Sequence, residues 1–233
     1  MCRGERRPSP PTPTCPAVGD RPCHTSPTTT TSGRAANFLS DAARAELLRR
    51  YGGTYLDLDA LTLRPLPHLH NYVGRMDTEG INCGILSFPP RHPLIQGVVD
   101  DIPRVFDPNN YNSIGPALIT THLHQLCPEN FATPRNINST VIDTCHGITI
   151  YPSSAFTPVL AIPPCTELHK VFLNGEGLGV KFVESTDSYS LHLFSSFTEL
   201  EAMILGGDSI LEEVAKKNCP RVYHFLFTHN MKL

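Results

Sequence analysis

The chain has 233 residues, a formal net charge of −3 and no tryptophan. That length suffices for one full domain, and the weak negative charge without a basic stripe points away from nucleic acid. No apolar run approaches the roughly 20 residues of a membrane-spanning helix, and the start MCRGERRPSPPTPTC lacks the apolar stretch of a signal peptide.

Taken in chain order, residues 8–32 are dense in Pro, Thr and Ser and are expected to stay disordered, so the first boundary falls at 1–35 and the folded part at 36–233. Ser40 reads as the N-cap of a helix over DAARAELLRRY, with Asp41 in its first turn, Arg49 and Arg50 in its last, and Gly52 ending it. A short strand, Thr54 to Leu56, follows the Gly52-Gly53 turn, and a loop rich in Pro and His runs from Arg64 to Tyr72. Residues 81–88 (INCGILSF) read as a buried strand, and 93–106 as a helix interrupted by Pro103. Gly115-Pro116 opens the helix ALITTHLHQLC. GITIY at 147–151 and YSLHLF at 189–194 read as strands, and 208–217 as a short amphipathic helix. Helices alternating with short strands make the class α/β, in which ligands gather at the carboxyl ends of strands.

Asp57 and Asp59 stand at such an end. In an extended segment, residues i and i+2 share a face, about 6.6 Å apart, with Leu58 on the other. Two carboxylates that close raise each other's pKa unless a positive group joins them, and a hard divalent cation, Mn²⁺ or Mg²⁺, is the natural one. A solvated turn is the plain alternative. His122 and His124, two apart on a helix, do not face together and read as surface residues.

Of the eight cysteines, Cys127 and Cys145 bracket a polar loop that contains the sequon Asn138-Ser139-Thr140. A disulfide there with glycosylation at Asn138 implies a lumenal compartment; two buried thiols and a chance sequon are the alternative.

The stretch SDAARAELLRRYGGTYLDLD resembles the pattern SDxxRxxxLxxxGGxYxDxD of GT-A fold glycosyltransferases with a DXD sugar-binding region, and most closely the α-1,4-glycosyltransferases. INCGILSFPPRHPLIQ, IGPALIT, ITIYPSSAFTPV and YSLHLF follow in the family's order. The resemblance implies a GT-A (Rossmann-like) fold and retaining transfer of galactose or N-acetylglucosamine from a UDP-sugar to a glycolipid or glycan acceptor in α-1,4 linkage. It implies donor-sugar contacts from Asp41, Arg44, Asp57, Asn82 and Gly84, and a metal held by Asp57, Asp59 and His192. It also implies a type II Golgi membrane protein, whose anchor and first strand–helix unit, the one that binds the uridine, are expected to be missing from this chain. Phe194 and Ser195 depart from the family's usual Trp and Asn, Cys83 from a frequent Asn, and Leu160 to Pro163 from a stretch that bears Trp. No nucleophile or base is evident; Asp77, Glu79, Asp100 and Asp101 qualify by residue type alone. Two other readings compete: a glycosyltransferase-like fragment without activity, and a haloacid-dehalogenase-type phosphatase, in which Asp57 would open the site and Gly207-Asp208-Ser209 would mimic the later acidic loop.

Overall fold

Helix α1 spans Thr31–Tyr51 in the computed structural model, which describes residues 31–68, 70–136, 138–159, 172, 177–195 and 205–229. The Pro/Thr-rich stretch up to residue 30 and the segment Leu160 to Pro163 lie outside these residues. The helix starts well before Ser40, which is therefore an internal residue and not an N-cap. The Ala35-Ala36 pair carries the helix through this point, because alanine has the best intrinsic helix propensity. Phe38, Asp41, Arg44 or Ala45, and Leu48 follow one another three or four residues apart and form the buried face. Gly52 closes the helix at φ +64°, its N–H bonded to the Leu48 carbonyl at 2.9 Å. A side chain there would run into Pro90.

Strands β1 (Gly53–Leu56), β3 (Tyr72–Arg75), β4 (Ile81–Phe88), β5 (Asp143–Cys145) and β6 (Ile148–Tyr151) form a five-stranded sheet in the order β1-β4-β3-β6-β5. Only the β3–β6 pairing is parallel. The class is α/β as expected, and the described sheet is mixed and largely antiparallel. Strand β2 (Ala60–Thr62) leaves this sheet and pairs antiparallel with β7 (Ser190–His192), Ala60 opposite His192.

One face of the large sheet is covered by α1, α2 (Pro93–Val105) and α3 (Pro116–Leu126). Leu48, Leu94, Ile95, Leu118 and Leu123 pack there against Val73, Leu86, Phe88 and Ile150. Against the other face, Tyr72, Ile85, Tyr151 and Phe156 form an aromatic cluster, Tyr72 and Phe156 stacked at 5.7 Å. A third cluster joins β7 to α5 (Leu178–Ser185) and α6 (Ile210–Asn218) through Leu191, Phe182, Ile210 and Val214. Ser209 caps α6, and α7 (Pro220–Thr228) follows. A short helix α4 (Pro128–Phe131) continues from α3.

Cys127, at the end of α3, and Cys145, at the end of β5, form a disulfide with Cα atoms 5.9 Å apart. Its closed loop carries Asn138, whose side chain lies in an exposed position. Replacing both cysteines by alanine is expected to cost about 3 kcal/mol in urea unfolding, from the chain entropy restored to the unfolded state. Reducing agent should lower the midpoint of the wild type and leave that of the double variant where it is. Equal midpoints for wild type and double variant under oxidising conditions would refute this.

Candidate metal and donor site

Two local features bring the site together. The first is the turn after β1. Asp57-Leu58-Asp59-Ala60 is not extended: the Ala60 N–H bonds back to the Asp57 carbonyl at 3.1 Å, and Leu58 stands fully in solvent. The shared-face spacing expected of a strand is therefore corrected. The carboxylates converge because the chain reverses between them. The second is a bulge in β4. Val73 pairs with Leu86 and Gly74 with Asn82, so Cys83, Gly84 and Ile85 stand opposite no residue of β3. Bulges of this kind re-aim backbone groups beside sites. Here the freed Cys83 carbonyl accepts Arg44 Nη1 at 2.9 Å, and the Gly84 carbonyl accepts the Asp57 N–H at 2.8 Å.

A chain of alternating charge runs through the site. Asp41 Oδ1 lies 3.2 Å from Arg44 Nη2, and the same nitrogen lies 3.2 Å from Asp57 Oδ1. His192 Nε2 sits 3.6 Å from Asp57 Oδ2 and 3.2 Å from Asp59 Oδ1. Oxygen or nitrogen atoms of Asp57, Asp59 and His192 all fall within 4.8 Å of one another, a cluster that can hold a metal ion. Two carboxylates and one imidazole fit a divalent cation of the Mn²⁺ type. Gly84 makes room for them: a Cβ there would lie 2.9 Å from Asp57 Oδ2 and from Asn82 Oδ1. Asn82 in turn accepts the Gly84 N–H at 2.5 Å.

The electrostatics follow from burial and pairing. Burial raises the Asp41 carboxyl to about 6 against the pull of Arg44, and the charge of Asp57 adds to the rise. Burial alone would lower His192, but hydrogen bonds and charge from Asp57 and Asp59 override it and raise the imidazole from 6.5 to about 9. Burial likewise pushes Asp59 up, yet His192 and the Ser195 donors more than reverse this and hold it well below the usual carboxylate range. In the metal-free protein a protonated His192 thus bridges the two acids at neutral pH. A pKa raised on folding gives stability that is complete below 6.5 and is lost as pH climbs through about 9.

Tyr55, Ser40 and Ser195 complete the constellation; from the sequence none was named as a site residue, Ser40 being read as a helix cap and Ser195 as a departure from the family's Asn. Tyr55 donates its hydroxyl to Asp57 Oδ1 at 2.7 Å, and its ring lies under the Arg44 guanidinium at 4.7 Å. Ser40 accepts from Arg44 Nη2 at 3.1 Å and sits 3.3 Å from the Tyr55 hydroxyl. The signals were present: Ser40 is one helical turn before Arg44, and Tyr55 lies two residues before Asp57. Gly115, at the start of α3, approaches Asp41 so closely that a Cβ would lie 2.3 Å from its Oδ2.

The acids chosen by residue type lie elsewhere. Asp77 accepts the Glu79 and Gly80 N–H groups of its own turn, Asp100 pairs with Gln96, and Asp101 pairs with Arg104 and with His122 at 3.0 Å. His124 bonds the Glu79 carbonyl and stacks on Phe131.

The D-x-D pair and His192 form a candidate metal site in an α/β domain, and the family matches make that domain a glycosyltransferase of the GT-A type. Residues 87–226 match the alpha 1,4-glycosyltransferase conserved region, and residues 24–77 match the glycosyltransferase sugar-binding region containing the DXD motif. The chain belongs to the alpha 1,4-glycosyltransferase family, and not to the phosphatases. Human alpha-1,4-N-acetylglucosaminyltransferase is 26% identical over 192 residues, covering 82% of this chain and 52% of the relative. Human lactosylceramide 4-alpha-galactosyltransferase is 26% identical over 188 residues, covering 79% and 49%. Inositol phosphoceramide mannosyltransferase 3 of Schizosaccharomyces pombe is 40% identical over 68 residues, 28% of this chain and 19% of the relative. The chain spans about half the length of the two human relatives. No solved structure matches it.

Proposed function

We propose that this chain carries the donor and metal site of a retaining hexosyltransferase. It would use Mn²⁺ to move galactose or N-acetylglucosamine from a UDP-sugar to a glycolipid or glycan acceptor, in α-1,4 linkage. The convergence of Asp57, Asp59 and His192 on one point, next to the Asp41–Arg44 pair, carries this reading. Mn²⁺ bound there would neutralise the charge of the departing nucleoside diphosphate.

The residues divide the work. Asp57, Asp59 and the neutral form of His192 would hold the ion. Arg44 orients Asp57 and shields it from Asp41, and Asp41 and Asn82, with the side-chain-free backbone of Gly84, would meet the donor's hydroxyls. His192 must release its proton from Nε2 before that atom can ligate. Apparent Mn²⁺ affinity should therefore rise about tenfold per pH unit between pH 7 and 9, measured by electron paramagnetic resonance of free Mn²⁺. A flat profile across that window would remove His192 from the ligand set.

A lumenal site in the secretory pathway, the Golgi in particular, is part of the proposal. Supporting it are the disulfide and the exposed Asn138 on its loop. Among the described residues no helix is long and apolar enough to cross a membrane. The division into a Pro/Thr-rich 1–35 and a catalytic 36–233 belongs to the proposal too, with α1 reaching back to Thr31.

The test is calorimetry of UDP-galactose and UDP-N-acetylglucosamine with Mn²⁺ and with EDTA, followed by product analysis on lipid-linked and free glycan acceptors. Binding that needs the metal, and a product whose anomeric proton shows the small coupling of an α linkage, are expected. A folded chain that binds neither donor would overturn the reading.

A further inference from the structure

The loop leaving β7 wraps around one carboxylate. Leu193 donates its N–H to the Asp59 carbonyl at 2.9 Å. Ser195 donates both its N–H and its hydroxyl to Asp59 Oδ2, each at 2.8 Å. The two oxygens of Asp59 are thereby divided: Oδ2 is taken up by Ser195, while Oδ1 faces His192 at 3.2 Å.

The backbone works for this arrangement. Phe194 has φ +51°, a left-handed conformation that bulky residues rarely take and that a surrounding structure must enforce. That turn carries Ser195 back over Asp59. The Phe194 ring is buried and meets the His192 ring edge-on, centroids 4.3 Å apart. One strained step thus seats an aromatic wall on the imidazole and brings two donors to the neighbouring acid.

We propose that Phe194-Ser195 is a latch that sets which oxygen of Asp59 is offered to the metal, with Ser195 as a positioning residue. The inference rests on the metal reading of the site. Its mechanism is the general one for outer ligands: a carboxylate held through one oxygen cannot rotate, so the other is presented without loss of rotamer freedom on binding. The Ser195 backbone N–H would remain after substitution, so the hydroxyl is the part a variant can remove.

The experiment uses the full chain and Mn²⁺ alone, titrated by electron paramagnetic resonance, with thermal unfolding of each metal-free protein alongside. Ser195→Ala is expected to bind Mn²⁺ about 10–100-fold more weakly, the usual cost of losing an outer-shell partner, with an unchanged melting temperature. Ser195→Thr, which keeps the hydroxyl, should restore affinity to near the wild-type value. Ser195→Ala within about twofold of wild type would overturn the latch and leave the metal site standing. Equal weakness in the Ala and Thr variants would overturn it too, because loop packing and not the hydroxyl would then be responsible. A folded wild type that binds no Mn²⁺ would overturn the metal reading, and the latch with it.

Discussion

Asp59→Asn is expected to lose metal-dependent binding of the UDP-sugar by more than about 100-fold while keeping its fold. The substitution keeps the shape of the side chain and removes its charge. An amide oxygen can still accept from Ser195, so the loop after β7 keeps its anchor. What disappears is one of the two carboxylates that face His192 Nε2. Asp57 still faces the imidazole, so the variant keeps one acid of the pair and gives up only part of the stability that the raised His192 supplies below about pH 9. Calorimetry with Mn²⁺ and with EDTA reads the binding, and near-ultraviolet circular dichroism checks the fold. Donor binding that persists at wild-type strength with Mn²⁺ in the Asn variant would remove Asp59 from the site.

Arg44→Met should be the most destabilising single change among the site residues, by about 3–5 kcal/mol, the usual loss when one partner of a buried charge network is removed. Arg44 is 9% exposed and Asp41 7%, and Arg44 Nη2 lies 3.2 Å from both Asp41 and Asp57. Methionine keeps the bulk of the aliphatic stem and leaves the two acids without their shared cation. Without it, burial and the charge of Asp57 should raise the folded-state Asp41 carboxyl further above its unfolded value. The sign then follows: the unfolded state holds fewer protons than the folded one, so the variant loses stability as pH rises. Urea unfolding at pH 5 and pH 8 should show the larger deficit at pH 8. A loss below about 1 kcal/mol at both would mean that the guanidinium is dispensable to the fold.

The sequence by itself pointed to the candidate acids, arginine and histidine of the site. Asp41 and Arg44 are one helical turn apart, so any helix through them places both on one face, and burial of Phe38, Ala45 and Leu48 turns that face inward. The D-x-D and the glycines before it were legible because a turn and a pair of acids are local features, set by φ preferences and by like-charge repulsion. The pairing of Cys127 with Cys145 was legible as a loop worth closing.

The tertiary structure decided how those residues meet. Periodicity could not show that the D-x-D is a turn, because a chain reversal over four residues has no repeat to read. Nor could it locate the β4 bulge, which exists only as a mismatch with β3, a partner in another part of the sequence. His192 reaches the acids because β7 pairs with β2, Ala60 opposite His192, across a separation that no local rule spans. Ser40, read locally as a helix cap, is instead a support for Arg44 and Tyr55, since the helix begins before it and the sheet lies beside it. Local preference selects the residue types; burial of apolar faces against one another selects which distant side chains share a site.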